Sequence, residues 1–131
     1  MFNWNRYLML AKRLAASEDE ADLRTAISRA YYAAFHIAIE YCLTVRVRIP
    51  YAVVRDGKSD TSYHSRVIGA LRSHANLHVR EAGERLVFLR RWRNSADYRL
   101  PFDGNVRAVA HQAIVSAESM IDDLARSCQG M

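Results

Sequence analysis

The feature that most constrains this chain is an apolar arc along residues 18–45. Leu23, Ile27, Ala30, Tyr31, Ala34, Ile37, Ala38, Tyr41 and Cys42 recur three or four residues apart, the spacing of one broad helix face. "SEDE" before it offers Ser17 as N-cap and Glu20 three residues on, a capping box with acidic groups at the positive helix end. Further helical patterns fall at about 3–16, 61–75 and 78–99. The first turns Trp4, Tyr7, Leu8, Ala11, Leu14 and Ala15 to one side, and the third turns Val67, Leu71 and Ala75 inward. A fifth helix, with Asp103 as its cap, carries Val106, Ala110, Ala113, Ala117, Met120 and Leu124 inward. Residues 46–60, with Pro50 and Gly57, break the pattern and read as a long loop, and no strand signal is convincing. Two prolines and five glycines in 131 residues suit such a chain. The expectation is one all-α domain over residues 1–131, an antiparallel bundle of four to five helices.

The fourth helix contains the sequence's main conflict. Val79, Ala82, Leu86, Leu89, Ala96 and Leu100 follow a core rhythm, and Arg93 stands where that rhythm calls for an apolar side chain. Arg90, Arg93, Asn94 and Asp97 share roughly a quadrant to a third of the helix circumference. A guanidinium taken from water is costly unless charge and acceptors meet it. Asp97, four residues on, can supply the charge. Two readings follow: an Arg93–Asp97 pair that fixes helix register, or an arginine aimed into a polar cleft. The second helix has its own polar stripe, Thr25, Arg29, Tyr32, His36 and Glu40, opposite its apolar arc. That stripe is either a solvated face or the other wall of the cleft. Phe88 and Trp92 lie off the main apolar stripe and suggest a subunit contact.

Composition bounds the partners. The formal net charge is +5, with seventeen arginines against two lysines. Arginine's planar fork suits bidentate contacts to phosphate or carboxylate, which permits nucleic acid as a partner. Cys42 on an apolar face and Cys128 in the tail imply no disulfide framework. The histidines are scattered and no acidic cluster has ligand spacing, so neither a metal site nor a cofactor is expected. The longest apolar run, "AYYAAF", is far too short to span a bilayer, so a cytoplasmic protein without membrane contact is expected.

Two segments, "RTAISRAYYAAFHIAIEYC" and "LRRWRNSADY", together resemble the HEPN domain (higher eukaryotes and prokaryotes nucleotide-binding). The opening Trp4, Tyr7 and Leu8 and the segment "SYHSRVIGALR" also suit it. The resemblance implies a small helical bundle, usually dimeric, from families rich in toxin–antitoxin, defence and RNA-processing proteins. Active ribonucleases of that family carry an arginine, often a polar residue after it, and a histidine after four to six intervening residues. They form one metal-independent endoribonuclease site from two copies. Arg93 and Asn94 match the start of that motif, but the positions where histidine would stand hold Tyr98, Arg99 and Leu100.

The resemblance therefore implies binding of RNA or nucleotides more directly than cleavage. Arg93, Arg90 and Arg29 would contact phosphate, Asn94 would extend that polar face, and Tyr32 and Tyr98 would stack on bases. Were there catalysis, Arg93 would stabilise phosphate charge, and His36 would replace the missing imidazole across the cleft. Asp97 is a weak base near neutrality. The alternative is a non-catalytic regulatory partner of a nucleotidyltransferase or another protein. A bundle whose polar stripes are wholly structural is the third reading.

Overall fold

The computed structural model describes residues 2–102 and 104–129. Five helices make an all-α bundle: α1 (Asn5–Ala15), α2 (Glu20–Thr44), α3 (Tyr63–Arg72), α4 (Leu77–Tyr98) and α5 (Val106–Ser127). No helix among the described residues is long and apolar enough to cross a membrane.

α2 is the central element, packed by α1, α4 and α5. Its alanines explain why three helices can gather around it. Ala26, Ala30, Ala33, Ala34 and Ala38 are fully buried, and their small side chains let neighbouring backbones approach. The remaining core is supplied by Tyr31 and Ile27 from α2, Val67 and Leu71 from α3, Leu86 and Leu89 from α4, and Met120 from α5. Burial on nearly every side of α2 also corrects its expected two-faced character. Ser28 and Phe35, outside the apolar arc, are buried as well, while Arg29, Tyr32, His36 and Glu40 are half-buried and Thr25 alone of the polar stripe is exposed.

Several expected boundaries move. Asp19, not Ser17, caps α2, its carboxylate accepting from Ala21 N–H at 2.7 Å, while Ser17 Oγ accepts from Asp19 N–H. Asn105 caps α5 through Ala108 N–H, and Asp103 lies outside the described residues. α3 ends at Arg72, so Ala75 is exposed in the turn that follows, and α4 ends at Tyr98, leaving Leu100 outside the helix and exposed.

The region expected as a loop contains an antiparallel hairpin, β1 (Val53–Arg55) paired with β2 (Lys58–Asp60). Its two-residue turn is Asp56-Gly57, both at positive φ (51° and 75°), the geometry that matches the twist of a tight hairpin. The hairpin rests on α3 where Gly69 leaves room: a β-carbon there would stand 2.9 Å from Val53 Cγ2. Its last residue, Asp60, feeds directly into the N-terminus of α3.

Candidate functional site

Arg93 sits where α4 faces α2, paired with Asp97. Its Nε lies 3.1 Å from Asp97 Oδ2, an ion pair whose N–H does not point at the oxygen well enough to form a hydrogen bond. Nη1 donates to Asn94 Oδ1 at 2.9 Å and Nη2 donates to the Tyr32 hydroxyl at 2.5 Å. The guanidinium carbon is 5.1 Å from the ring centre of Tyr32, 5.5 Å from that of Tyr98 and 6.0 Å from that of Tyr31. Three aromatic rings thus form the bed of a side chain that is 15% exposed. A guanidinium carries five N–H donors, so each terminal nitrogen keeps a hydrogen for a further acceptor. Asp97 is held from the α2 side too, by a 3.3 Å bond from Ser28 Oγ.

The α4 end that carries this group is fastened to α2. Arg24 donates to the carbonyls of Ala96 (3.1 Å) and Arg99 (2.7 Å), satisfying acceptors that a helix C-terminus leaves open. The same side chain pairs with Glu20 at 2.9 Å and lies over the ring of Phe102.

α3 contributes an imidazole that the sequence pattern of the polar stripes does not point to. His64 stacks on Phe35 with ring centres 4.3 Å apart, and its Nδ1 is hydrogen-bonded to the Tyr31 hydroxyl. Burial, then the charges of Arg90, Arg93 and His36, hold its pKa below the ordinary histidine value. Burial pushes the Tyr31 phenol well above its ordinary value, against the pull of Arg90 and Arg93. Tyr31 therefore stays protonated, and its hydroxyl serves either tautomer of the neutral imidazole, donating to a bare Nδ1 or accepting from Nδ1–H. The signal for His64 was local: it occupies the second residue of a helix capped by Ser62, inside "SYHSRVIGALR".

Arg90, one turn before Arg93, donates to Ser65 Oγ at 3.0 Å, and Ser65 Oγ donates to Asp60 Oδ2 at 2.6 Å. The Ser65 hydroxyl, then the Ser62 backbone and hydroxyl, hold the Asp60 carboxyl down at about 2. This chain joins α4 to α3 and the hairpin. Beside it opens a cleft of about 580 Å³ whose walls carry Arg55, Arg72, Arg90 and Arg91 against Asp60 and Glu84.

The expected site residues divide accordingly. Arg93, Asp97, Asn94, Tyr32 and Tyr98 meet directly, and Tyr98 is 72% exposed at the rim. Arg90 and Asn94 line the basic cleft. His36 is one turn beyond Tyr32, stacked on Trp4 with ring centres 3.8 Å apart, and burial lowers its pKa while Glu40 opposes. Arg29 has its aromatic partner on α1, lying over the ring of Tyr7 at 5.0 Å. Around Arg93 no metal-ligand set occurs among the described residues; the one such set lies where α4 meets α5, away from this group. No protein-family model, curated protein or solved structure matches the chain.

Proposed function

We propose that this chain is a cytoplasmic HEPN-type bundle of the toxin–antitoxin or defence class that binds RNA or nucleotides at Arg93. The observation that supports it best is a guanidinium with donors to spare, bedded on three tyrosines and next to an arginine-lined cleft. Arg93 would take a phosphate by charge-assisted hydrogen bonds, and Arg90, Arg55, Arg72 and Arg91 would track the neighbouring backbone. The exposed ring of Tyr98 offers a stacking platform for a base. For cleavage, His64 is the better-placed imidazole, since the charges of both Arg90 and Arg93 reach it. In the tautomer with its proton on Nδ1, neutral His64 would present Nε2 as a general base, and His36 would add a second imidazole.

A homodimer is part of the same reading, formed through the exposed apolar face of Phe88, Trp92 and Val115. The reading of wholly structural stripes is favoured by one feature: Asp97 already neutralises Arg93.

Wild type and Arg93→Ala, at matched concentration with total cellular RNA in EDTA, separate these readings. Filter retention of RNA is expected to fall roughly tenfold or more in the variant, with a salt-dependent wild-type curve. A denaturing gel reports cleavage in the same samples. Equal retention by folded wild type and variant would reject an Arg93 phosphate site and leave the structural and partner readings.

A further inference from the structure

We propose that His78, Glu81 and Asp123 form a binding site for a divalent transition-metal ion of the zinc class, bridging α4 to α5. One ring nitrogen of His78 and one carboxylate oxygen from each acid lie within 4.8 Å of one another. His78 and Glu81 are one turn apart at the start of α4, so they face the same way. Asp123 reaches them from the last turns of α5, 45 residues from His78 in sequence, which is why no ligand spacing is visible along the chain.

Three properties point to a cation. Asp123 is 3% exposed, and its ion pair with Arg85 uses Oδ2, which leaves the second carboxylate oxygen for a cation. His78 Nδ1 is buried without any hydrogen-bond partner, so nothing now offsets its loss of water. Glu81 is exposed and lines an open groove, so its side chain can swing to close the triangle to bonding distance. Mixed imidazole and carboxylate donors suit zinc and its neighbours, whereas magnesium and calcium prefer oxygen alone. Three protein ligands leave a fourth tetrahedral position for water.

Arg85 sets the affinity. Its Nε donates to Asp123 Oδ2 at 2.9 Å, so the guanidinium and the metal compete for one carboxylate. Zinc must bind through the second oxygen or displace Arg85. Replacing Arg85 with an uncharged side chain should therefore tighten metal binding, a result that a site unrelated to Asp123 would not give.

The test uses the full chain, stripped with chelator and dialysed against zinc chloride, with metal measured by atomic absorption and the fold by thermal melting. One zinc per chain is expected, with a raised melting temperature, because an ion that binds only the folded state stabilises it. His78→Gln and Glu81→Gln should each weaken binding about tenfold or more, and Arg85→Met should strengthen it. Glu81 is exposed, so its variant is expected to keep the wild-type melting temperature without metal, which separates loss of zinc from unfolding. Cobalt in place of zinc should give visible d–d absorption in wild type that His78→Gln abolishes. Sub-stoichiometric zinc, or binding unchanged in His78→Gln or Glu81→Gln, overturns the site.

Discussion

Arg93 shows how a charge occupies a core position with most of its desolvation cost met, although its Nε, ion-paired with Asp97, makes no hydrogen bond. Tyrosine faces replace the aliphatic neighbours that the helix rhythm calls for, and a cation over such rings gains about 0.5–2 kcal/mol depending on its exposure to water. The planar fork lies against the rings while its edge meets Asp97, Asn94 and Tyr32. Arg93 and Asp97 were legible in the sequence because both sit on one helix, whereas Tyr31 and His64 are 33 residues apart and meet only through packing of α3 beside α2. His36 and His64 carry a pH consequence. Both are held below the ordinary value of 6.5, so the unfolded chain takes up protons before the folded one does. Their contribution to stability is complete above pH 6.5 and is lost as pH falls from there through the folded values. Asp60, lowered from 3.8 to about 2, adds a loss that begins only near pH 3.8. Thermal melts should thus show a decline starting just below pH 6.5 that flattens in the His36→Gln, His64→Gln double variant. A decline of the same size in that variant would show that other groups govern it.

Between elements, the close approaches are set by residues that have no side chain to spare. A β-carbon on Gly83 of α4 would stand 2.8 Å from Arg72 Cγ, 2.9 Å from the Arg72 backbone nitrogen and 3.0 Å from Leu71 Cβ. A flexible side chain can move away, but the end of α3 cannot retreat without opening the α3–α4 contact that carries Ser65 to Arg90. Gly83→Ala is expected to cost about 1–3 kcal/mol in denaturant unfolding, the range for inserting atoms into a filled contact. Unchanged stability would mean that α3 is free to shift. The helices were readable because each carries a period near 3.6 over ten or more residues. The hairpin was not, although Asp56-Gly57 is a strong turn signal. Its strands are three residues each and four of the six residues are polar, too short for alternation to stand out, and Val53 packs against Gly69 on another element. Cap positions shifted for a related reason: Ser17, Glu18 and Asp19 all offer side-chain oxygens, and the first turn chose the one nearest its own N–H groups.

At the scale of the whole molecule, the central α2 leaves α4 and α5 each with an outward face, and these meet in a groove of about 650 Å³ lined by Phe88, Trp92 and Val115. Phe88 is 49% and Val115 60% exposed, and the Phe88 and Trp92 rings lie 6.3 Å apart. The sequence could place Phe88 and Trp92 off the main stripe, but not Val115 beside them, since that contact depends on how α5 seats against α4. Glu81, Glu84 and Arg85 rim the patch, an apolar centre with a charged edge as in many subunit contacts. If two copies join here, Phe88→Glu would place a carboxylate in the buried centre, where it finds no water and meets its symmetric counterpart. Loss of a central aromatic contact of this kind typically costs about 2 kcal/mol or more, roughly a thirtyfold weaker dimer. Phe88 contributes nothing to the buried core, so the monomer should keep its melting temperature. Sedimentation of wild type and Phe88→Glu across a concentration series is the measurement. A wild-type dimer that becomes a folded monomer assigns the interface to this face, and a dimer that persists in the variant moves it elsewhere.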